Sequence, residues 1–124
     1  MKLENIKYKA KSIYNGEWVY GDLLHQSDGI HIYMGKGEGG HILCPRVDPS
    51  TICQFTGLKD CDGKEIWEGD ILAEKRFPSF EVGYIDCTFA ATYVGDDKFI
   101  FNLLALSKTC TVCGSKFDRK EGEK

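Results

Sequence analysis

The sequence predicts a mostly β protein, a small barrel-like or meandering arrangement of short strands with little helix. Three observations predict it. Turn signals recur at short intervals: Asn15-Gly16, Asp28-Gly29, the glycine-rich stretch 35–40, Asp62-Gly63 and Gly95-Asp96-Asp97. The runs between them alternate apolar and polar residues, the two-residue period of half-buried strands. No segment sustains a helical period beyond a turn or two.

The elements follow in order. In Ile6-Lys7-Tyr8-Lys9-Ala10-Lys11 the lysines take one face of a strand and Ile6, Tyr8 and Ala10 the other. Asn15-Gly16 leads directly into Glu17-Trp18-Val19-Tyr20-Gly21-Asp22-Leu23-Leu24, so the first two strands are expected to form a hairpin. Residues 29–34 make a third strand. Pro45 and Pro49 then break the chain before Thr51-Ile52-Cys53-Gln54-Phe55. Later strands are expected over 70–73, 80–93, 98–104 and 109–117. Leu103-Leu104-Ala105-Leu106 is the best place for a short helix. This gives an N-terminal β-hairpin region over 1–50, a C-terminal barrel-like region over 51–118 and a frayed charged tail over 119–124, in one compact unit overall.

Composition limits the partners. Of 124 residues, 42% are hydrophobic and 28% charged, which supports a packed core and argues against wholesale disorder. The formal charge of -3 argues against a nucleic-acid binder that relies on bulk positive charge. No apolar run approaches the roughly 18 residues a membrane-spanning helix needs, so no membrane partner is expected. The opening MKLENIKYKAKS lacks the apolar run of a secretory signal, so a cytoplasmic location is expected.

In that compartment the six cysteines should stay reduced. Cys110-Thr-Val-Cys113 has the spacing of half a zinc site, and His41-Ile-Leu-Cys44 has the spacing to complete it. Yet residues 41–44 read as extended chain, where positions i and i+3 point to opposite faces. The expectation is therefore no metal and no cofactor. A zinc module on His41, Cys44, Cys110 and Cys113 is the alternative.

Other motifs dissolve on inspection. Gly35-Lys36-Gly37-Glu38-Gly39-Gly40 spells GxGxxG, but no helix follows to present its N-terminus to a pyrophosphate, and the P-loop's closing Gly-Lys-Ser/Thr is missing. It reads as a hairpin tip. Asp60-Cys61-Asp62-Gly63 starts like a calcium loop, but its glycine falls at the fourth position instead of the sixth. Glu65, Glu68 and Asp70 are close in sequence. Their expected role is to bond backbone amides as Gly69 turns the chain. His25, His31 and His41 have no nucleophile partner in a recognisable motif, and no catalytic constellation is present. Lys7, Lys9 and Lys11, near Trp18 and Tyr20, form a possible single-strand nucleic-acid patch. Lysines on a solvent-facing strand also serve to discourage edge aggregation, which is the preferred reading.

One long segment is distinctive. Pro49-Ser50-Thr51-Ile52-Cys53-Gln54-Phe55-Thr56-Gly57-Leu58-Lys59-Asp60 runs on through Cys61-Asp62-Gly63-Lys64-Glu65-Ile66-Trp67-Glu68-Gly69-Asp70-Ile71. It resembles the signature of the YopX family of phage and prophage proteins, roughly P-x-T-x-x-Q-[YF]-T-G-L-x-D-x-[ND]-G-x-x-I-[YFW]-E-G-D-[IV]. The opening hairpin is similar too, with Lys9 and Ala10 where members often carry Arg and Gly. Thr111-Val112-Cys113-Gly114-Ser115-Lys116-Phe117-Asp118 fits the register of the family's closing strand, with Cys113 at an apolar position, which accounts for the cysteine pair without metal.

The resemblance implies a mostly β fold, a phage or prophage origin, a bacterial cytoplasmic setting and no established enzymatic activity. The positions it marks are Pro49, Thr51, Gln54, Thr56, Gly57, Leu58, Asp60, Gly63, Ile66, Glu68, Gly69 and Asp70. They read as turn glycines, side-chain oxygens for turn bonds, and core residues Leu58 and Ile66. The function expected is a non-enzymatic binding or assembly module that forms a homo-oligomer, its other partners unknown. The alternative of another class is the single-strand nucleic-acid binder.

Overall fold

The computed structural model describes residues 2–118, and the expected tail over 119–124 lies outside them. The chain divides into two compact units between Phe55 and Thr56.

In the N-terminal unit, β1 (Tyr8–Lys11) pairs antiparallel with β2 (Trp18–Gln26), with Tyr8 opposite Gly21 and Lys11 opposite Trp18. The expected Asn15-Gly16 hairpin joins them, closed by the Ser12 amide donating to the Glu17 carbonyl at 2.9 Å. β2 continues into β3 (Gly29–Tyr33) through a two-residue turn, with Gln26 opposite Gly29. The glycine-rich stretch is a hairpin tip, as its composition predicts: β4 (Gly35–Lys36) and β5 (Ile42–Leu43) flank a single 3-10 turn at Glu38–Gly40. A second 3-10 turn, Pro49–Thr51, starts with proline at its first position and is capped by Asp48. The first residues of β6 (Cys53–Lys59) then pair with β1, Gln54 opposite Tyr8 and Cys53 opposite Lys9. The core of this unit is Ala10, Ile32 and Val47, all essentially inaccessible, with Tyr8, Val19, Leu23, Ile30 and Ile52 packed around them.

The C-terminal unit begins within β6, whose end lies beside β7 (Glu65–Trp67). β8 (Asp70–Glu74), β9 (Phe77–Ile85), β10 (Thr88–Tyr93) and β11 (Asp96–Asn102) form an antiparallel meander. A short helix, α1 (Leu103–Ser107), follows, and β12 (Thr111–Ser115) returns to the outer edge of β8. The sheet order β11-β10-β9-β8-β12 is open, so the mostly β expectation holds as a meander and not as a closed ring of pairings. Ile66, Leu72, Phe80, Val82, Ala91, Leu103 and Cys110 form the core. Phe80, Tyr93 and Phe101 make a three-ring cluster with centroids 4.9–5.2 Å apart, within the range where aromatic pairs add to simple area burial.

Three local features depart from the sequence reading. Residues 80–93 are two strands, because Asp86 and Cys87 both take positive φ (50° and 67°) and close a two-residue turn with Ile85 opposite Thr88. Neither glycine nor proline announces that turn. The short β7 was not anticipated at all. Lys9, expected on a solvent face, is only 7% exposed, because β1 is a central strand flanked by β2 and β6. The helix does form where four consecutive apolar residues suggested it, and the Asn102 carboxamide oxygen caps it by accepting from the Ala105 amide at 3.0 Å.

Candidate functional site

Of the twelve signature residues, six lie in strands and six in or beside turns. Thr51, 7% exposed, donates its hydroxyl to the Asp48 carbonyl at 2.7 Å and accepts from the Lys11 amide at 2.8 Å, fastening the Pro49 turn to β1. Gln54 sits opposite Tyr8 on the paired end of β6. In the second unit Thr56 donates to the Ile66 carbonyl at 2.7 Å and accepts from the Leu58 amide at 3.2 Å. Ile66 is fully buried and Leu58 packs on the same core. Gly57, Gly63 and Gly69 all lie near φ +85°, where a side chain is strained.

Asp60 binds three backbone amides. Its Oδ1 accepts from the Asp62 and Lys64 amides, both at 2.9 Å, and its Oδ2 from the Val112 amide at 2.8 Å. Burial by itself pushes this carboxyl up. The Val112, Lys64 and Asp62 amides outweigh that and hold it below its ordinary value. Asp70, 3% exposed, accepts from the Trp67 amide at 2.7 Å across the Glu68-Gly69 turn. This is the amide-bonding role its sequence position suggested. Gly69 receives the Lys116 amide on its carbonyl at 2.9 Å and donates to Val82 at 2.8 Å, so the turn is joined to strands on either side. These oxygens therefore serve turn geometry.

Cys110 and Cys113 do not make the half-site that their spacing suggests. Among the described residues no three His, Cys, Asp or Glu side chains are disposed to hold a metal ion. His41 is exposed and Cys44 half-buried. Cys110 is wholly buried in the apolar core, where desolvation raises its thiol. Cys113 is exposed, its thiol donating to the Ile71 carbonyl at 3.4 Å. The CxxC spacing fails because the two cysteines fall on either side of the start of β12, one in the core and one in solvent.

The lysine face is occupied by its own aromatics. The Lys7 ammonium lies 4.7 Å from the Phe55 ring centroid, and Lys9 and Lys11 lie 4.5 and 5.4 Å from Trp18. Lys9 and Lys11 thus both lie against the Trp18 indole.

Two features of the N-terminal unit escaped the sequence reading. His31 is clasped at both ring nitrogens, Nδ1 against the Cys44 carbonyl at 2.9 Å and Nε2 against the Asp28 carboxylate at 2.8 Å. Both partners are acceptors, so only the doubly protonated ring donates to both. The Cys44 carbonyl first, then Asp28, raise the imidazole above its ordinary value, and the His31 bond lowers Asp28. The Asp28-x-x-His31 spacing was visible in sequence, but the carbonyl thirteen residues away was not. The second feature is a cleft of about 420 Å³ between Ser12, Gly29, Arg46 and Pro49. Nothing in the sequence marks Arg46.

No helix among the described residues is long and apolar enough to cross a membrane. No curated protein matches the chain. A family model described as YopX protein matches residues 2–121, nearly the whole length. That match takes in the opening hairpin, the Asp60 and Asp70 turns and the closing strand together, and the chain belongs to the YopX family.

Proposed function

We propose that the protein is a non-enzymatic assembly module of phage or prophage origin that works in the bacterial cytoplasm by associating with copies of itself. The observation that carries this reading is a group of large apolar side chains left in water at one end of the second sheet. Phe99 is 61% exposed, Ile100 54% and Leu104 52%. β11 forms the outer edge of that sheet, and its pairing with β10 jumps from Phe101 opposite Ala91 to Asp96 opposite Tyr93. The intervening residues bulge, which discourages indiscriminate strand addition while holding Phe99 and Ile100 outward. Adjacent exposed apolar residues of this size are characteristic of interaction surfaces.

The titratable groups support a non-catalytic role. Asp60 and Asp70 are engaged by backbone amides, and His31 is held at both nitrogens, so each is committed to structure. Sedimentation velocity at tens of micromolar should find an oligomer. Replacing Phe99 and Ile100 together by serine should return it to monomer with the fold intact. A wild-type monomer under those conditions overturns the reading.

A further inference from the structure

The cleft of the N-terminal unit, about 420 Å³, lies within the size range of small-molecule sites, roughly 300–1,000 Å³. One wall is apolar, made by Ile30, Val47 and Pro49. The polar part of the lining includes Arg46, Ser12 and Asp48.

Arg46 is fixed at its backbone and open at its head. Its carbonyl accepts from the Ile13 amide at 3.1 Å, and it forms a β-bridge with His31. Its side chain lies over Gly29, where an added Cβ would stand 2.8 Å from Nε and 3.4 Å from Cζ and Nη2. The missing side chain at position 29 thus makes the seat for the guanidinium. Arg46 is exposed, and its guanidinium donates no hydrogen bond to a described residue.

The charge of Arg46 acts on Asp28, and each nearby carboxylate has a closer partner of its own. Asp28 is held by His31 at 2.8 Å, and Asp48 accepts from the Ser50 amide at 3.0 Å and its hydroxyl at 2.8 Å. Ser12, 6% exposed, accepts the Tyr14 amide at 3.2 Å on its Oγ, which leaves the hydroxyl proton to donate. Lys11 also lines the cleft, with its ammonium over Trp18.

We propose that this cleft binds a carboxylate carried on an apolar body. The planar fork of Arg46 takes both carboxylate oxygens, the Ser12 hydroxyl donates a further bond, and Ile30 and Pro49 cover the apolar part. Two coplanar donors and one hydroxyl suit a monoanion. A phosphate dianion would need more donors than these walls present, and it would leave the apolar wall bare. The carboxylate can belong to a small organic acid or to the C-terminus of a peptide ending in an apolar residue. The site uses none of the residues assigned to self-association, so it stands or falls apart from that reading.

The test is a titration of the full chain, followed by amide and arginine Nε–H resonances, with 4-phenylbutyrate and with N-acetyl-Ala-Phe. Both should shift Ser12, Gly29 and Arg46 at millimolar concentrations, and the tighter of the two identifies the source of the carboxylate. The C-terminal amide of the peptide should bind about tenfold more weakly. Arg46→Lys keeps the charge but not the fork and should lose about tenfold. Gly29→Ala should lose as much by unseating the guanidinium. If Gly29→Ala does not fold, Arg46→Lys, at an exposed side chain, still decides. No shift with either probe up to roughly 10 mM, equal binding of acid and amide, unchanged binding in Arg46→Lys, or tighter binding of inorganic phosphate overturns the proposal.

Discussion

The Asp60 carboxylate and the Val112 amide, 52 residues apart in the chain, meet at 2.8 Å and join the signature turn to the closing strand. The same carboxylate holds the turn itself through the Asp62 and Lys64 amides, and the Cys61 amide adds a bond to the Cys110 carbonyl at 3.2 Å. One side chain therefore does two jobs, shaping a tight turn and closing a long loop.

Removing it should be costly. Asp60→Ala orphans three amides and should destabilise the protein by about 3 kcal/mol in chemical denaturation, with Asp60→Asn intermediate. The acid limb of the stability profile follows from the same bonds. A carboxyl held below its unfolded value stabilises the fold above that value, near 3.8, and loses the contribution as pH falls through the folded value. Asp60→Asn should flatten that limb, and an unchanged acid limb would mean that other carboxylates govern it.

His31 should act in the opposite direction. Its folded value is raised, so its contribution is full below the unfolded value near 6.5 and disappears as pH rises through the folded one. Imidazole NMR titration should place His31 above the ordinary histidine value. Asp28→Asn should lower it only in part, because the Cys44 carbonyl is the larger cause.

Gly21 and Gly57 make a paired test of why glycine is required. A Cβ on Gly21 would collide with the Tyr33 carbonyl oxygen, so Gly21→Ala must push β2 and β3 apart. It should cost at least about 3 kcal/mol. Gly57 has φ +85° but open space around it, so Gly57→Ala meets only backbone strain, about 1 kcal/mol. Equal costs in thermal or urea unfolding would contradict this assignment.

Thiol labelling should sort the cysteines by burial. Cys53 and Cys110 are inaccessible and should react only on unfolding, whereas Cys61, Cys87 and Cys113 are exposed. Desolvation and the neighbouring Asp62 and Asp60 carboxylates push the Cys61 thiol up. It should therefore label slowly at neutral pH and faster in alkali. Rapid labelling of Cys110 in the native protein would show that the C-terminal core opens.

What sequence determined by itself is mostly what depends on near neighbours. Asn15-Gly16 accepts the backbone angles of a hairpin turn, so the β1–β2 pairing was legible. Leu103-Leu104-Ala105-Leu106 is a run unsuited to alternation, and α1 lies there. The Asp70 bond to Trp67 spans three residues and was equally readable. The Asp86-Cys87 turn was not, because residues without glycine's freedom are driven into positive φ by pairing of the strands on either side. The burial of Lys9 was hidden because alternation distinguishes two faces but cannot say that β6 will arrive to flank the strand. CxxC spacing suggested metal, and the core claimed Cys110 instead. Arg46 was invisible for the deepest reason: its seat is the empty space above Gly29, seventeen positions away, and only the folded chain brings a missing side chain and a guanidinium together.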